Sequence, residues 1–66
     1  MPEVNLKLIK HIRKQKGISQ LEMANALHLK SGEKYTRREN GKYRFQATEI
    51  PVVANKLGIK IEDMYF

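Results

Sequence analysis

Four short breaks, each containing one of the chain's four glycines, divide the 66 residues into short segments. The breaks are KGIS at 16–19, HLKSG at 28–32, NGK at 40–42 and LGIK at 57–60. Between them the apolar residues recur with a spacing near 3.6, and no segment alternates with period two. The pattern predicts an all-α fold, a compact bundle of five short helices.

The size of the chain limits how such a bundle can be stabilised. Sixty-six residues predict one domain over 1–66, and a single core of this size usually supplies only about 3–5 kcal/mol of net stability. The chain contains no cysteine, so neither a disulfide nor a thiolate metal site can assist, and a reducing compartment is the natural setting. Stability must come from close helix packing or from association.

The apolar runs are too short for a membrane or a secretion signal. The first fourteen residues, MPEVNLKLIKHIRK, interleave lysines with apolar residues and lack the continuous apolar stretch of a signal peptide. Nothing approaches the roughly 18 apolar residues of a membrane span. We therefore expect a cytoplasmic protein without a membrane partner.

The positive charge is concentrated in two blocks. Residues 1–18 carry five basic groups and Glu3, a net +4, and residues 30–44 carry six basic and two acidic groups, also +4. The remaining segments, 19–29 and 45–66, each carry −1, which gives the total of +6. Two basic blocks favour a polyanionic partner, most often a nucleic acid.

The first two helices have clear end signals. In the first, the apolar side chains lie on one arc, namely Val4, Leu8, Ile9 and Ile12, and Gly17 is placed to end the helix with a positive φ. The second opens with Ser19-Gln20-Leu21-Glu22, a capping-box pattern. Its inner face is Met23, Ala24 and Leu27, which leaves Leu21 outside.

The third helix is predicted from Ser31, as N-cap, to Asn40, with Gly41 as the left-handed residue after it. At 100° per residue, Tyr35 and Glu39 point inward, and Tyr35 is expected in the core.

The fourth helix is predicted over roughly 48–57, with Thr48 as N-cap, because that start leaves Pro51 in the first turn. Gly58 is expected to stop it. A last short helical segment, 61–66, is expected to close the core through Ile61 and Met64.

Three stretches in register, GISQLEMANAL, YTRRENGK and VVANKLGI, resemble the lambda repressor/Cro-like helix-turn-helix family. The resemblance covers about Leu6 to Met64 and implies a five-helix bundle that binds DNA in bacteria or phages. The chain departs from the family pattern in four places, one of which is Pro51, in a fourth helix that is normally uninterrupted. The turn from Leu27 to Ser31 is one residue longer than usual, His28 stands where glycine is common, and Arg38 stands where relatives often carry an apolar residue.

The outer face of the third helix has side chains that suit base edges in a major groove. Arg37 can donate two hydrogen bonds to guanine, Glu33 can accept from a cytosine amino group, and Thr36 can contact a thymine methyl group or a polar edge. Gly32 allows close backbone approach, and Lys34 can reach a base or a phosphate. The predicted base-reading set is Gly32, Glu33, Lys34, Thr36 and Arg37.

Other residues are expected to contact the DNA backbone or to hold the fold. The resemblance implies a phosphate contact for Gln20, and three residues just past the third helix can bind phosphates on the other side, namely Asn40, Lys42 and Arg44. The resemblance also implies that Arg13 pairs with Glu39 and locks the first helix to the third.

The resulting hypothesis is a sequence-specific, double-stranded-DNA-binding transcriptional regulator. We expect a repressor that binds a palindromic operator as a homodimer, with the third helix in the major groove and an interface that includes Ile59, Tyr65 and Phe66. An alternative is a protein-interaction module, such as an antirepressor or an antitoxin, that uses the same bundle.

An enzyme is not expected. The chain has no nucleophile–base arrangement, no glycine-rich phosphate loop and too few residues to enclose a small-molecule substrate. His11 and His28 have no neighbouring ligand set, so neither a metal nor a cofactor is expected.

Overall fold

The computed structural model describes residues 3–66, which form four α-helices and one short 3-10 helix. The α-helices are α1 (Leu6–Gln15), α2 (Gln20–Ala26), α3 (Gly32–Glu39) and α4 (Glu49–Leu57), and the 3-10 helix is Ile61–Met64. The all-α prediction is confirmed, but the count of five helices is wrong by this last element. Residues 1 and 2 of the single domain predicted over 1–66 lie outside the described residues.

The first helix begins later than the apolar arc suggested. The side chain of Asn5 accepts a hydrogen bond from the Leu8 N–H (3.2 Å), so Asn5 is the N-cap. Val4 therefore lies before the helix, in an isolated antiparallel bridge with Tyr65. An apolar side chain at helical spacing cannot show this difference, because an extended residue next to the cap can cover the same core.

The next three helices begin at the predicted N-cap residues, but a side-chain capping bond forms only at α2. Ser19 and Glu22 form the complete capping box of α2. Ser31 and Thr48 are the N-cap residues of α3 and α4, but neither side chain caps its helix. Just before α4, Glu49 Oε1 accepts a hydrogen bond from the Gln46 N–H (2.9 Å), which closes the turn that leads into the helix.

The helix ends depend on left-handed residues. The three glycines expected to end helices, Gly17, Gly41 and Gly58, have φ of 69°, 81° and 70°. His28, after α2, has φ 58°, the one non-glycine residue among 3–66 with a positive φ. His28, where the family pattern has glycine, thus adopts a left-handed conformation at a cost of roughly 1–2 kcal/mol.

The core lies between the four α-helices and the 3-10 helix. Its largest fully buried side chains include Tyr35, as predicted, and the others are Ile9, Met23, Val53, Leu57 and Met64. The edge of the Tyr35 ring meets the Phe45 ring at a centroid distance of 6.1 Å. Met64 closes the core, but the matching prediction for Ile61 is wrong, because Ile61 is 46% exposed. Positions 61 and 64 are one 3-10 turn apart and share a face, but Ile61 is at the exposed start of the turn, next to the extended Lys60, and only Met64 reaches the core.

Candidate nucleic-acid interface

The helix pair α2 and α3 packs together more extensively than any other pair in the described chain. The turn between them is 27–31. It is closed by hydrogen bonds from the His28 N–H to the Asn25 carbonyl (3.1 Å) and from the Leu29 N–H to the Ala24 carbonyl (2.8 Å). Two N–H groups of the turn are thus bound to the last turn of α2. The N-terminus of α3 is therefore held at a defined angle to α2.

The outer face of α3 presents three exposed charged side chains, Glu33, Lys34 and Arg37. Arg37 donates to Glu33 Oε1 at 2.7 Å across one helical turn, with 54% of the arginine side chain and 71% of the glutamate side chain exposed. Gly32, at the start of the helix, is half-buried beside Leu21. Four of the five predicted base-reading residues therefore lie on or next to one accessible surface.

Thr36, the fifth, is half-buried and bound inside the protein. Its hydroxyl lies 2.8 Å from Gln20 Oε1 and 3.1 Å from the Gly32 carbonyl oxygen, so its single hydrogen is shared between two internal acceptors. Gln20 in turn donates through Nε2 to Glu39 Oε1 at 3.5 Å. Thr36 fixes which end of the Gln20 amide faces Glu39, and the second amide hydrogen of Gln20 has no other acceptor among the described residues.

The remaining residues predicted to contact phosphates lie in the segment that follows α3. Asn40, Lys42 and Arg44 are all exposed. The segment is tied back to the helix, since the N–H groups of Lys42 and Tyr43 both donate to the Arg37 carbonyl (2.8 and 3.2 Å). The cationic side chains thus project from a short backbone segment that is fixed next to α3.

The structure brings Arg13 and Glu39 together across 26 positions of sequence. Arg13 Nε donates to Glu39 Oε2 (2.8 Å) and Nη2 to Oε1 (3.0 Å), while Nη1 donates to the Ile18 carbonyl (2.8 Å). The side chains are 9% and 0% exposed. This bidentate pair, together with the bond from Nη1 to Ile18, joins α1 to α3 and to the start of the helix-turn-helix.

The contact between Arg13 and Glu39 shifts the pKa of both residues, and Glu39 also affects the pKa of Tyr35. Burial by itself raises the pKa of Glu39, but hydrogen bonds and the positive charge from Arg13 outweigh it, so the Glu39 pKa is lowered. The hydrogen bond from Arg13 to Glu39 raises the Arg13 pKa. Burial and the adjacent Glu39 charge raise the pKa of Tyr35, whose hydroxyl lies near Glu39 but outside hydrogen-bonding geometry. The pair is therefore fully ionised near neutral pH.

A second buried ion pair was not anticipated. Arg38 donates through Nε and Nη2 to both carboxylate oxygens of Glu49 (2.9 and 3.1 Å) and through Nη1 to the Lys34 carbonyl (3.0 Å). The ring of Tyr43 lies 4.5 Å from its guanidinium carbon. The sequence signal was available, because Arg38 is three residues from the buried Tyr35 and so near the inner face, and Glu49 is an acid in the first turn of α4.

The residues proposed for self-association differ in exposure. Ile59 and Tyr65 are half-buried, whereas Phe66 is 77% exposed. Tyr65 is engaged through its backbone with Val4, and the Phe66 N–H donates to the Glu3 carbonyl (2.9 Å). This region borders the 3-10 helix, which packs against α1 and α4.

Two further observations concern metal binding and membrane insertion. Within residues 3–66 no group of three or more His, Asp or Glu side chains is arranged to hold a metal ion. In the same range no helix combines the length and the apolar character that crossing a membrane requires.

The comparisons with known proteins agree with the geometry of α2 and α3. A helix-turn-helix family model matches residues 9–64, which include all four α-helices except the first turn of α1. No curated protein matches the chain. The chain therefore belongs to the lambda repressor/Cro-like helix-turn-helix family of DNA-binding transcription regulators.

Proposed function

We propose that this protein is a transcriptional repressor that binds a palindromic operator in double-stranded DNA as a homodimer, with α3 in the major groove. The observation that carries the proposal is the outer face of α3, where Arg37, Glu33 and Lys34 are exposed on a helix whose inner face is held by two buried ion pairs. A major groove about 12 Å wide admits one such helix, and its N-terminal half reaches the base edges.

The Glu33–Arg37 pair is compatible with base reading. An exposed pair at this spacing contributes only about 0.3–0.5 kcal/mol. A bidentate arginine–guanine contact contributes about 1–3 kcal/mol of discrimination. Arg37 therefore gains by exchanging Glu33 for a guanine, and the released Glu33 can accept from a cytosine amino group.

Contacts to the DNA backbone flank this face on both sides. Gln20 is oriented by Thr36 at the start of α2, and Lys42 and Arg44 project just beyond α3. Contacts of this kind fix the register of the helix on the duplex and supply most of the salt-dependent affinity. Asn40 completes the proposed phosphate set.

A homodimer follows from the small size of the interface. A single module of this kind buries only about 600–1,000 Å² on DNA, so specificity favours two half-sites about 10 base pairs apart or a multiple of that. We place the dimer contact at Ile59, Tyr65 and Phe66. Support comes from the exposed Phe66 ring and from the position of these residues beside the 3-10 helix, which packs on α1 and α4.

The test is selection of binding sites from a random duplex library, followed by affinity measurements on the selected sequence. Arg37→Ala should lower specific affinity by about 5- to 150-fold per half-site and relax the base preference at one position. Lys10→Ala is the matched control, because it removes the same charge from an exposed position on α1. It should leave base preference unchanged.

The selected sequences also test the dimer and the repressor role. Two inverted half-sites at a fixed spacing, with Phe66→Ala weakening binding to the pair but not to one half-site, would support the homodimer. Weak binding that is blind to sequence, and equal for Arg37→Ala and Lys10→Ala, would contradict the proposal and favour a protein-interaction module.

A further inference from the structure

Leu21 is an exposed apolar residue in an otherwise polar region. It is the second residue of α2, and 58% of its surface is accessible. A single exposed leucine needs no explanation by itself. The position of this one is unusual, because it directly follows Gln20 and lies against the first residue of α3.

The space over Gly32 is open to Leu21. A Cβ atom at Gly32 would lie 3.6 Å from Leu21 Cα, 3.8 Å from Leu21 Cβ and 3.8 Å from Leu21 Cδ1. Gly32 has no side chain to cover the leucine, so the two residues form a small apolar patch at the N-terminus of α3. Glu33, exposed and next in sequence, borders this patch.

The chemistry of the patch suits one feature of the major groove. The groove offers hydrogen-bonding groups at every base pair, but its one apolar feature is the C5-methyl group of thymine. Because the N-terminal end of a recognition helix faces the bases, an apolar side chain beside it meets that methyl group rather than solvent.

From this arrangement we infer that Leu21, over Gly32, is a specificity-determining residue that selects a thymine by contact with its methyl group. The inference rests on the proposed function and adds a base reader from α2 to those of α3. It also gives the absent side chain at Gly32 a role, since a side chain there would come between Leu21 and the base.

The experiment uses the selected operator with each thymine replaced in turn by deoxyuridine, which removes only the methyl group. For the wild-type chain, replacing one particular thymine in each half-site should lower the affinity for the operator about fourfold, the value expected for one buried methyl group. With Leu21→Ala, the thymine and deoxyuridine operators should bind equally. Ile61→Ala is the control, an exposed apolar residue on the 3-10 helix, and it should keep the wild-type ratio.

The outcomes separate the two proposals. If the wild-type chain selects a sequence but no thymine methyl affects binding, or if the ratio persists in Leu21→Ala, the inference is overturned and the proposed function stands. The same holds if Leu21→Ala alters self-association and leaves the ratio unchanged. If the wild-type chain selects no sequence at all, the proposed function fails and the inference fails with it.

Discussion

Two neighbouring arginines on α3 have opposite environments. Arg37 pairs with Glu33 at 2.7 Å with 54% of its side chain exposed, while Arg38 pairs with Glu49 at 2.9 Å with 9% exposed. The bond lengths are nearly equal, so distance does not distinguish the pairs. The difference lies in what surrounds them.

Exposure decides which role each arginine can have. Water screens the Glu33–Arg37 pair, which therefore contributes little to stability and can be exchanged for a DNA contact. The Arg38–Glu49 pair is desolvated and satisfied by further bonds, so either partner left alone would be a buried charge. The same residue type thus serves recognition on one side of α3 and fold stability on the other.

The largest effect is expected at the other buried ion pair of this helix, Arg13–Glu39. Glu39→Ala leaves Arg13 charged and buried and removes the acceptor of Gln20, so the free energy of unfolding should fall by about 3–5 kcal/mol. Because a core of this size usually supplies only about that much net stability, thermal melting followed by circular dichroism should show a largely unfolded chain. Equal melting temperatures for Glu39→Ala and Glu33→Ala would refute the contrast between the two sides of α3.

A smaller loss is expected at the pair that includes Arg38. Glu49→Ala should cost near the lower end of the same range, about 3 kcal/mol, because Arg38 keeps the Lys34 carbonyl and the Tyr43 ring as partners. The double variant Arg38→Leu/Glu49→Leu should recover most of the loss in denaturant titrations, since an apolar pair leaves no stranded charge. A double variant less stable than Glu49→Ala would show that the pair itself stabilises the fold.

Acid should weaken the inner side of α3 by protonating Glu39. The Glu39 pKa is lowered from its ordinary 4.5, so its contribution to stability is fully present above that value and is lost as pH falls through the lower pKa of the folded state. Between pH 5 and 2 the wild-type stability should fall more steeply than that of Glu39→Gln. Parallel pH profiles for the two proteins would mean that Glu39 is not the responsible group.

The smallest effect is expected on the exposed side. Glu33→Ala should change the free energy of unfolding by no more than about 0.5 kcal/mol, because the lost pair with Arg37 is screened by water. Chemical denaturation in low and high salt measures it, and any difference should shrink as salt rises. A loss of several kcal/mol would place this pair in the same class as the buried ones.

Local features were predictable where one residue type suits one backbone shape. Gly17, Gly41 and Gly58 end helices with positive φ, and the Ser19–Glu22 capping box forms as predicted. Tyr35 is in the core because its register on α3 requires it. These outcomes depend only on neighbours within one or two turns of the chain.

The features that the sequence did not predict share a different cause. Val4 and Ile61 were placed by helical periodicity, and Arg38 was noted only as a departure from the family pattern. The position of each depends on a partner distant in sequence or on the absence of one. Val4 pairs with Tyr65, Arg38 is neutralised by Glu49, and Ile61 finds no place in the core. His28 shows the reverse, since it stands where the family pattern has glycine and yet adopts the left-handed conformation that glycine favours.

The order of helices, their stops and the charge carried by α3 are properties of the sequence alone, because capping, glycine conformation and apolar spacing act over a few residues. Which of two adjacent arginines is buried, and whether Thr36 faces a base or Gln20, was decided only when the helices packed. The physical reason is that the free-energy cost of burying a charge or a hydroxyl depends on whether an ion-pair or hydrogen-bond partner lies beside it. Such partners come from distant parts of the chain, and only the tertiary structure determines which of them are present.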